Sequence, residues 1–264
     1  MRFRFQRRFL CIPYAVFLVL FVILPILMIV YYAFTDTSGN FTFDAFVSFF
    51  TSISKLNVLV NSLMFSILNT LICLLIGYPL AYLLSNKKYN TNAVLVMLFV
   101  TPMWINFVLR TWATRDVLDW LNIGGGTNPY TATMIGLVYN YLPFVILPLY
   151  STMLKLDRSQ IEAAINLGCN KVQVFSKSII PQSIPGIVSA SMMVFMPTMS
   201  SYVISDVLSE GKITLFGNSI YLSFSNSQWS QGSFMAMLML VIVGISMLLT
   251  RNFTEKDEGR ASRW

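Results

Sequence analysis

The stretch SQIEAAINLGCNKVQVFSKSIIPQSIPGI, residues 159–187, decides how the chain is read, because it is a polar, helix-capped insert between two apolar runs of membrane length. Ser159 and Glu162 have the Ser-x-x-Glu spacing of a capping box, in which each residue meets an amide left open in the first turn, so a short helix is expected over 160–167. Gly168 ends it, at a corner where positive φ is expected. Asn170 and Gln173 repeat the box for a second helix with Val172, Phe175 and Ile179 on one face, and Pro181 and Pro185 are expected to stop it. A short helix, a glycine corner and a second helix make a docking element.

Working outward, 56% of the 264 residues are apolar and 11% are charged. Ordinary soluble domains carry roughly 25% charged residues. There is too little polar surface here to cover a soluble fold. Charges leave six long gaps, between Arg8 and Asp36, Lys55 and Lys87, Lys88 and Arg110, Asp119 and Lys155, Lys177 and Asp206, and Lys212 and Arg251. Each gap holds about 20 apolar residues, enough for one helix across roughly 30 Å of hydrocarbon. The expected fold is an all-α integral membrane bundle of six transmembrane helices. These lie over about 10–34, 59–85, 93–110, 132–154, 183–205 and 233–250, in a single domain over 1–264 with a cytoplasmic loop at 155–182.

The net charge of +7 could point to nucleic acid, but its distribution points to membrane topology. With the amino terminus inside, fourteen of the 18 cations fall on inner segments: Arg2, Arg4, Arg7, Arg8, Lys87, Lys88, Lys155, Arg158, Lys171, Lys177, Arg251, Lys256, Arg260 and Arg263. Lys55, Arg110, Arg115 and Lys212 fall outside. Lys and Arg bias sets orientation, so both termini and the 155–182 loop are expected in the cytoplasm. Arg2 to Arg8 and the apolar run after them have a signal-peptide layout, but that run is too long for a cleaved segment and reads as an uncleaved first span.

Glu162, Ala163, Ala164 and Gly168, followed by Pro181, Pro185 and Gly186, resemble the "EAA" loop of the permease subunits of binding-protein-dependent ABC importers, the MetI-like family. Ser178 departs from the Ile-x-Leu-Pro ending of that pattern, and Ile180 is a mild variant. Asn61–Thr70, Gly77–Ala81, Tyr139–Leu156, and Val203–Asp206 with Gly217-Asn218 resemble the spermidine/putrescine branch. The resemblance implies a multi-pass subunit of the bacterial cell membrane, surrounded by lipid, that alternates its opening between the two sides. It also implies three partners: a cytoplasmic ABC ATPase dimer, a second permease of PotC-like type forming a heterodimer, and an extracytoplasmic substrate-binding protein. Glu162, Ala163, Ala164, Gly168 and Pro181 would couple to the ATPase. ATP and Mg would be bound by that partner, with no cofactor in this chain and no nucleic-acid partner.

Other chemistry is poorly supplied. There is no histidine, and Cys11, Cys73 and Cys169 have neither disulfide-framework nor metal-ligand spacing. Gly124-Gly125-Gly126-Thr127 lacks the lysine of a phosphate loop and reads as a flexible turn. An intramembrane enzyme would want a catalytic pair inside a span, and an ion-coupled secondary transporter would want an intramembrane carboxylate. Neither is clearly present. Asn61, Ser62, Ser66, Asn69, Thr70, Gly77 and Pro79 on the second span must face protein or a water-filled path, because polar groups in hydrocarbon are costly unless paired. Phe41, Phe43, Phe46, Phe49 and Phe50 suit an interfacial helix. The last span reads as packing.

For a polyamine, a desolvated ammonium needs carboxylates or aromatic faces, a cation–π contact contributing roughly 0.5–2 kcal/mol. Trp104, Tyr141, Tyr202 and Asp206 are therefore the substrate-path candidates, against the plainer reading in which the aromatics form a membrane belt and Asp206 ends a helix in water. The outer side carries six carboxylates, Asp36, Asp44, Asp116, Asp119, Asp206 and Glu210, against its four cations. That balance is unhelpful for an anion, while another small solute remains the alternative.

Overall fold

The computed structural model describes residues 11–36, 38–86 and 94–261, with side chains over 12–36, 38–86 and 94–250. The arginines at positions 2–8, the Lys87-Lys88 pair, and the side chains of Cys11 and of the charged tail lie outside the described residues. All named elements among those described are helical. They are α1 Ile12–Ala33, α2 Asp44–Thr51, α3 Ile53–Ser85, α4 Val94–Trp104, α5 Phe107–Trp120, α6 Pro129–Met153, α7 Arg158–Asn166, α8 Lys171–Ser200, α9 Val203–Ser209, α10 Phe216–Ser225 and α11 Trp229–Ala261. Five stretches, α1, α3, α6, α8 and Trp229–Thr250 of α11, are long and apolar enough to cross a membrane. A sixth exists only if α4 and α5 count together, bent by 96° where one helix at 93–110 was expected.

Contacts divide the chain into two units, residues 1–57 with 219–242, and residues 58–218 with 243–264. In the first unit α1 leaves nearly all its large apolar side chains uncovered, as a lipid-facing helix does. Its loop folds back in an aromatic trio, Phe34 stacked on Phe41 with Phe43 edge-to-face to both. Of the five phenylalanines expected in one helix, Phe46, Phe49 and Phe50 lie in α2, while Phe41 and Phe43 precede it. Phe49 is buried, with the rings of Phe46, Phe49 and Phe50 grouped on Phe234.

The second unit is built on α3, α6 and α8. Ser62, Ser66, Asn69, Thr70, Cys73, Gly77, Ala81 and Leu84 are buried at helical spacing on one stripe of α3, so its polar residues do face protein. Asn69 Nδ2 donates to Thr198 Oγ1 on α8 (2.7 Å), and the hydroxyls of Tyr78 and Ser183 lie 2.7 Å apart. Interhelical hydrogen bonds of this kind contribute about 0.6–2 kcal/mol each in a membrane. Small residues let the helices close: a side chain at Gly77 would strike Val145 on α6, and one at Gly186 on α8 would strike Thr152. Between them Val145, Leu149, Ala190 and Val194 fill the core.

Pro181 and Pro185 do not stop the second helix, which runs unbroken from Lys171 to Ser200, about 45 Å at 1.5 Å per residue. Pro181 follows a π-helical turn at Phe175–Ile179, whereas Pro185 sits inside the α-helical part, as Pro143 and Pro148 do in α6. A proline ring collides with the carbonyl four residues back, and a turn whose amides reach five residues back gives it room. The same device precedes Pro25, where Val19–Ile23 is π-helical. The turn also spoils the expected single face: Val172 is 75% exposed, whereas Ile179 is 3% exposed.

Candidate functional site

Two regions of the second unit carry the sequence-predicted residues. The first is the corner between α6 and α8. The α7 helix is not started by a Ser159–Glu162 box. Asp157 caps it instead, its Oδ1 accepting from the Ser159 amide (2.9 Å) and hydroxyl (2.7 Å), with Gln160 Nε2 donating to Oδ2 (3.2 Å). The helix begins at Arg158, so Ser159 lies inside its first turn and donates to the Asp157 carboxylate in charge-assisted hydrogen bonds. These bonds, the Ser159 hydroxyl first, hold the Asp157 carboxyl below its ordinary pKa. The cap is therefore fully present above the usual carboxylate range and is lost as pH falls through the lowered value.

The end of α7 is a Schellman motif: Cys169 N donates to Ala164 O (3.1 Å), Gly168 N to Ile165 O (2.9 Å), and Gly168 sits at φ +83°. The second expected box is present, with Gln173 N donating to Asn170 Oδ1 (2.8 Å) and Asn170 N to Gln173 Oε1 (2.9 Å). Glu162, released from capping, is exposed and pairs with no described residue, and Ala163 beside it is exposed too. Leu167 (84% exposed), Ile165 and Val172 also project unpacked. Ala164 is half-buried, and Pro181 is exposed at the foot of α8. Gln182 ties this corner to α8. Its Oε1 accepts from Asp157 N (3.0 Å), and its Nε2 donates to the buried Ser178 (3.2 Å), the residue that departs from the importer pattern.

The second region lies around the two breaks, α4–α5 and α8–α9. Tyr202 is the N-cap residue of α9, and Asp206 N donates to Tyr202 O (3.0 Å), so these two share one turn. Asp206 is exposed and accepts a long hydrogen bond from Asn218 (3.5 Å). Tyr141 is packed inward, donating its hydroxyl to Pro197 O on α8 (3.2 Å). Trp104 stands apart at the other break, 88% exposed, with no hydrogen bond or ring contact to the other three among the described residues.

Sequence reading missed Arg110, taken there as a boundary charge on the outer side. It is 8% exposed, its Nε donating to Asn140 Oδ1 (2.9 Å) and Nη1 to Pro102 O (2.7 Å), with the guanidinium 5.5 Å from the centre of the Tyr139 ring. The glycine triplet is not a loose turn either. Gly124 and Gly125 are buried, Gly125 pressed against the backbone of Leu208 where a side chain would overlap it, and Lys212 Nζ donates to Gly125 O (3.1 Å) and Gly126 O (2.6 Å). Arg115 bridges Glu210 (3.1 Å) and Asp119 (3.6 Å).

The spermidine/putrescine transport system permease protein PotB of Escherichia coli (strain K12) is 34% identical over 253 residues, covering 88% of this chain and 92% of that protein. Its counterpart in Haemophilus influenzae is 33% identical over 276 residues, covering 94% and 96%. A PotB homolog of Mycoplasma genitalium is 24% identical, covering 84% and 81%. Among solved structures, a bacterial ABC transporter involved in the import of the acidic polysaccharide alginate superposes with a TM-score of 0.75 at 14% identity over 94% of each chain. A bacterial alginate ABC transporter in complex with an alginate pentasaccharide-bound periplasmic protein gives 0.72 at 17%, over 93% of each. These two likenesses speak for the fold. No family model matches the chain.

Proposed function

The chain belongs to the PotB family of spermidine/putrescine transport permeases, and on that membership we propose that it is the membrane-spanning subunit of a binding-protein-dependent ABC importer for polyamines. The observation that carries the reading is identity of 34% sustained over 92% of a curated relative. The subunit is a multi-pass protein of the bacterial cell membrane. On this reading α4 and α5 count as one of six spans, and both termini are cytoplasmic, as the bias of fourteen cations to four supports. Cys169, half-buried in the corner, tests that orientation. In intact cells it should be modified by a membrane-permeant maleimide and protected from an impermeant one added outside; labelling by the impermeant reagent contradicts the topology.

Coupling falls to the corner. Glu162, Ala163, Ala164, Gly168 and Pro181 are proposed to meet an ABC ATPase dimer, which binds the ATP and Mg, so that this chain's part is mechanical. What supports this is an exposed apolar surface around a carboxylate that pairs with no described residue, held on two capped helix ends. A push on it reaches the membrane because Gln182 joins the corner to a helix continuous from Lys171 to Ser200. A second, PotC-like permease would complete the path as a heterodimer, fed by an extracytoplasmic binding protein.

A polyamine crossing between the two permeases needs carboxylates and ring faces, and Trp104, Tyr141, Tyr202 and Asp206 are proposed for that role. The four outer cations are all engaged internally: Lys55 with Gln231, Arg110 with Asn140, Arg115 with Glu210, and Lys212 with the glycine carbonyls. Of these only Arg115 meets carboxylates, Asp119 and Glu210; the other three keep their charge on neutral acceptors. Asp206→Asn removes charge at nearly constant shape. Uptake of labelled spermidine by cells carrying this variant should fall at least tenfold with assembly and basal hydrolysis unchanged; normal uptake removes Asp206 from the path.

A further inference from the structure

Arg110 is the one buried charged residue among those described, and no carboxylate pairs with it. A desolvated cation with only neutral acceptors is costly, and an ionisable side chain within membrane-crossing structure is kept only where it does something a neutral one cannot. What it does here is span a break. The segment turns by 96° between Trp104 and Phe107, and just before the turn the carbonyl of Pro102 has only a long hydrogen bond from Ile105 N (3.3 Å) besides the one from Arg110. One planar fork satisfies that carbonyl and the Asn140 amide oxygen at once, over the Tyr139 ring. Asn140 is itself locked, its Nδ2 donating to Gly136 O (2.9 Å). The next residue, Tyr141, holds Pro197 O at the end of α8, just before the second break.

We infer that Arg110 is a positioning residue for the transport path: with Asn140 it holds the α4–α5 bend, so that both broken segments are fixed to a single turn of α6, residues 139–141. The inference rests on the importer reading, and its geometry holds whatever the solute. Shape and transport should therefore change together when the fork is removed.

Spin labels at Leu98→Cys and Val117→Cys, both exposed and on opposite arms of the bend, read the shape in the full reconstituted complex on a cysteine-free background. Spermidine-loaded binding protein is the probe for transport. The parent should give one narrow distance distribution. Arg110→Gln should broaden it and lower transport at least tenfold, with the complex still assembled. Arg110→Lys keeps the charge but reaches one acceptor at a time, and should give a smaller change of the same kind, with transport reduced about threefold. If Arg110→Gln yields no complex, Arg110→Lys decides alone. A parental distance distribution in the variant, or an altered one with parental transport, overturns the inference. If spermidine fails to drive even the parent, the polyamine reading has failed, and the distance measurement still tests the bend.

Discussion

Replacing Gly168 with valine is expected to abolish coupled transport, by at least tenfold, while leaving the bundle assembled. Gly168 sits at φ +83°, and beyond its chain neighbours no atom lies within 4 Å of where a side chain would start. The penalty is therefore backbone strain alone, about 1–2 kcal/mol for an ordinary residue and more for a β-branched one. That energy is too small to unfold a membrane bundle but enough to undo the Schellman turn that sets the direction from α7 to α8, and with it the relative placement of Leu167, Glu162 and Val172. Substrate-stimulated ATP hydrolysis and co-purification of the ATPase measure the effect. Gly168→Asn is the control, since asparagine tolerates this conformation and should keep most activity. Full transport by Gly168→Val in a normally assembled complex contradicts a coupling role for the corner.

The second large effect is expected at Gly186. A Cβ there would lie 2.7 Å from Thr152 Cβ and 3.0 Å from Thr152 Cγ2, inside van der Waals contact. Overpacking of this kind costs about 1–3 kcal/mol, more when backbone must shift. Gly186→Val should sharply reduce the yield of folded permease and lower its thermal midpoint, as read by fluorescence-detected size exclusion after heating. Gly186→Ala combined with Thr152→Gly exchanges the small residue between helices and should recover most of the loss. If Gly186→Val matches the parent in yield and midpoint, the close approach of α6 and α8 is wrong.

Much of this architecture was legible from elementary features. Uncharged gaps longer than twenty residues marked the apolar stretches, polar residues at helical spacing marked the buried stripe of α3, and Asn170 with Gln173 marked a helix start, because each depends on residues within a few turns of one another. What escaped depends on partners far away in sequence or on competition between local rules. Asp157 starts the helix two residues before Ser159, whose amide and hydroxyl both donate to it. Pro181 is accommodated by the π turn before it, which no spacing rule announces, and Pro185 is carried inside the α-helix itself. Arg110 looked like the end of a span because a charge usually is one, and its burial depends on Asn140, thirty residues on. The glycine triplet is ordered by Lys212 and Leu208, more than eighty residues away. Of the site candidates, the corner residues could be read from a contiguous motif, whereas Trp104, Tyr141, Tyr202 and Asp206 were chosen by chemistry alone. Two of these, Tyr202 and Asp206, share a turn, and Tyr141 reaches the helix end before it.

The structural neighbours import an acidic polysaccharide and the sequence relatives are named for cationic polyamines, so the substrate is where fold and family part company. ATP hydrolysis by the complex reconstituted with the proposed ATPase, second permease and binding protein separates them most directly. Spermidine and putrescine should stimulate it several-fold, with alginate oligosaccharides, amino acids and sulfate giving the basal rate. Stimulation by one of those other solutes, with none from either polyamine, would contradict the account.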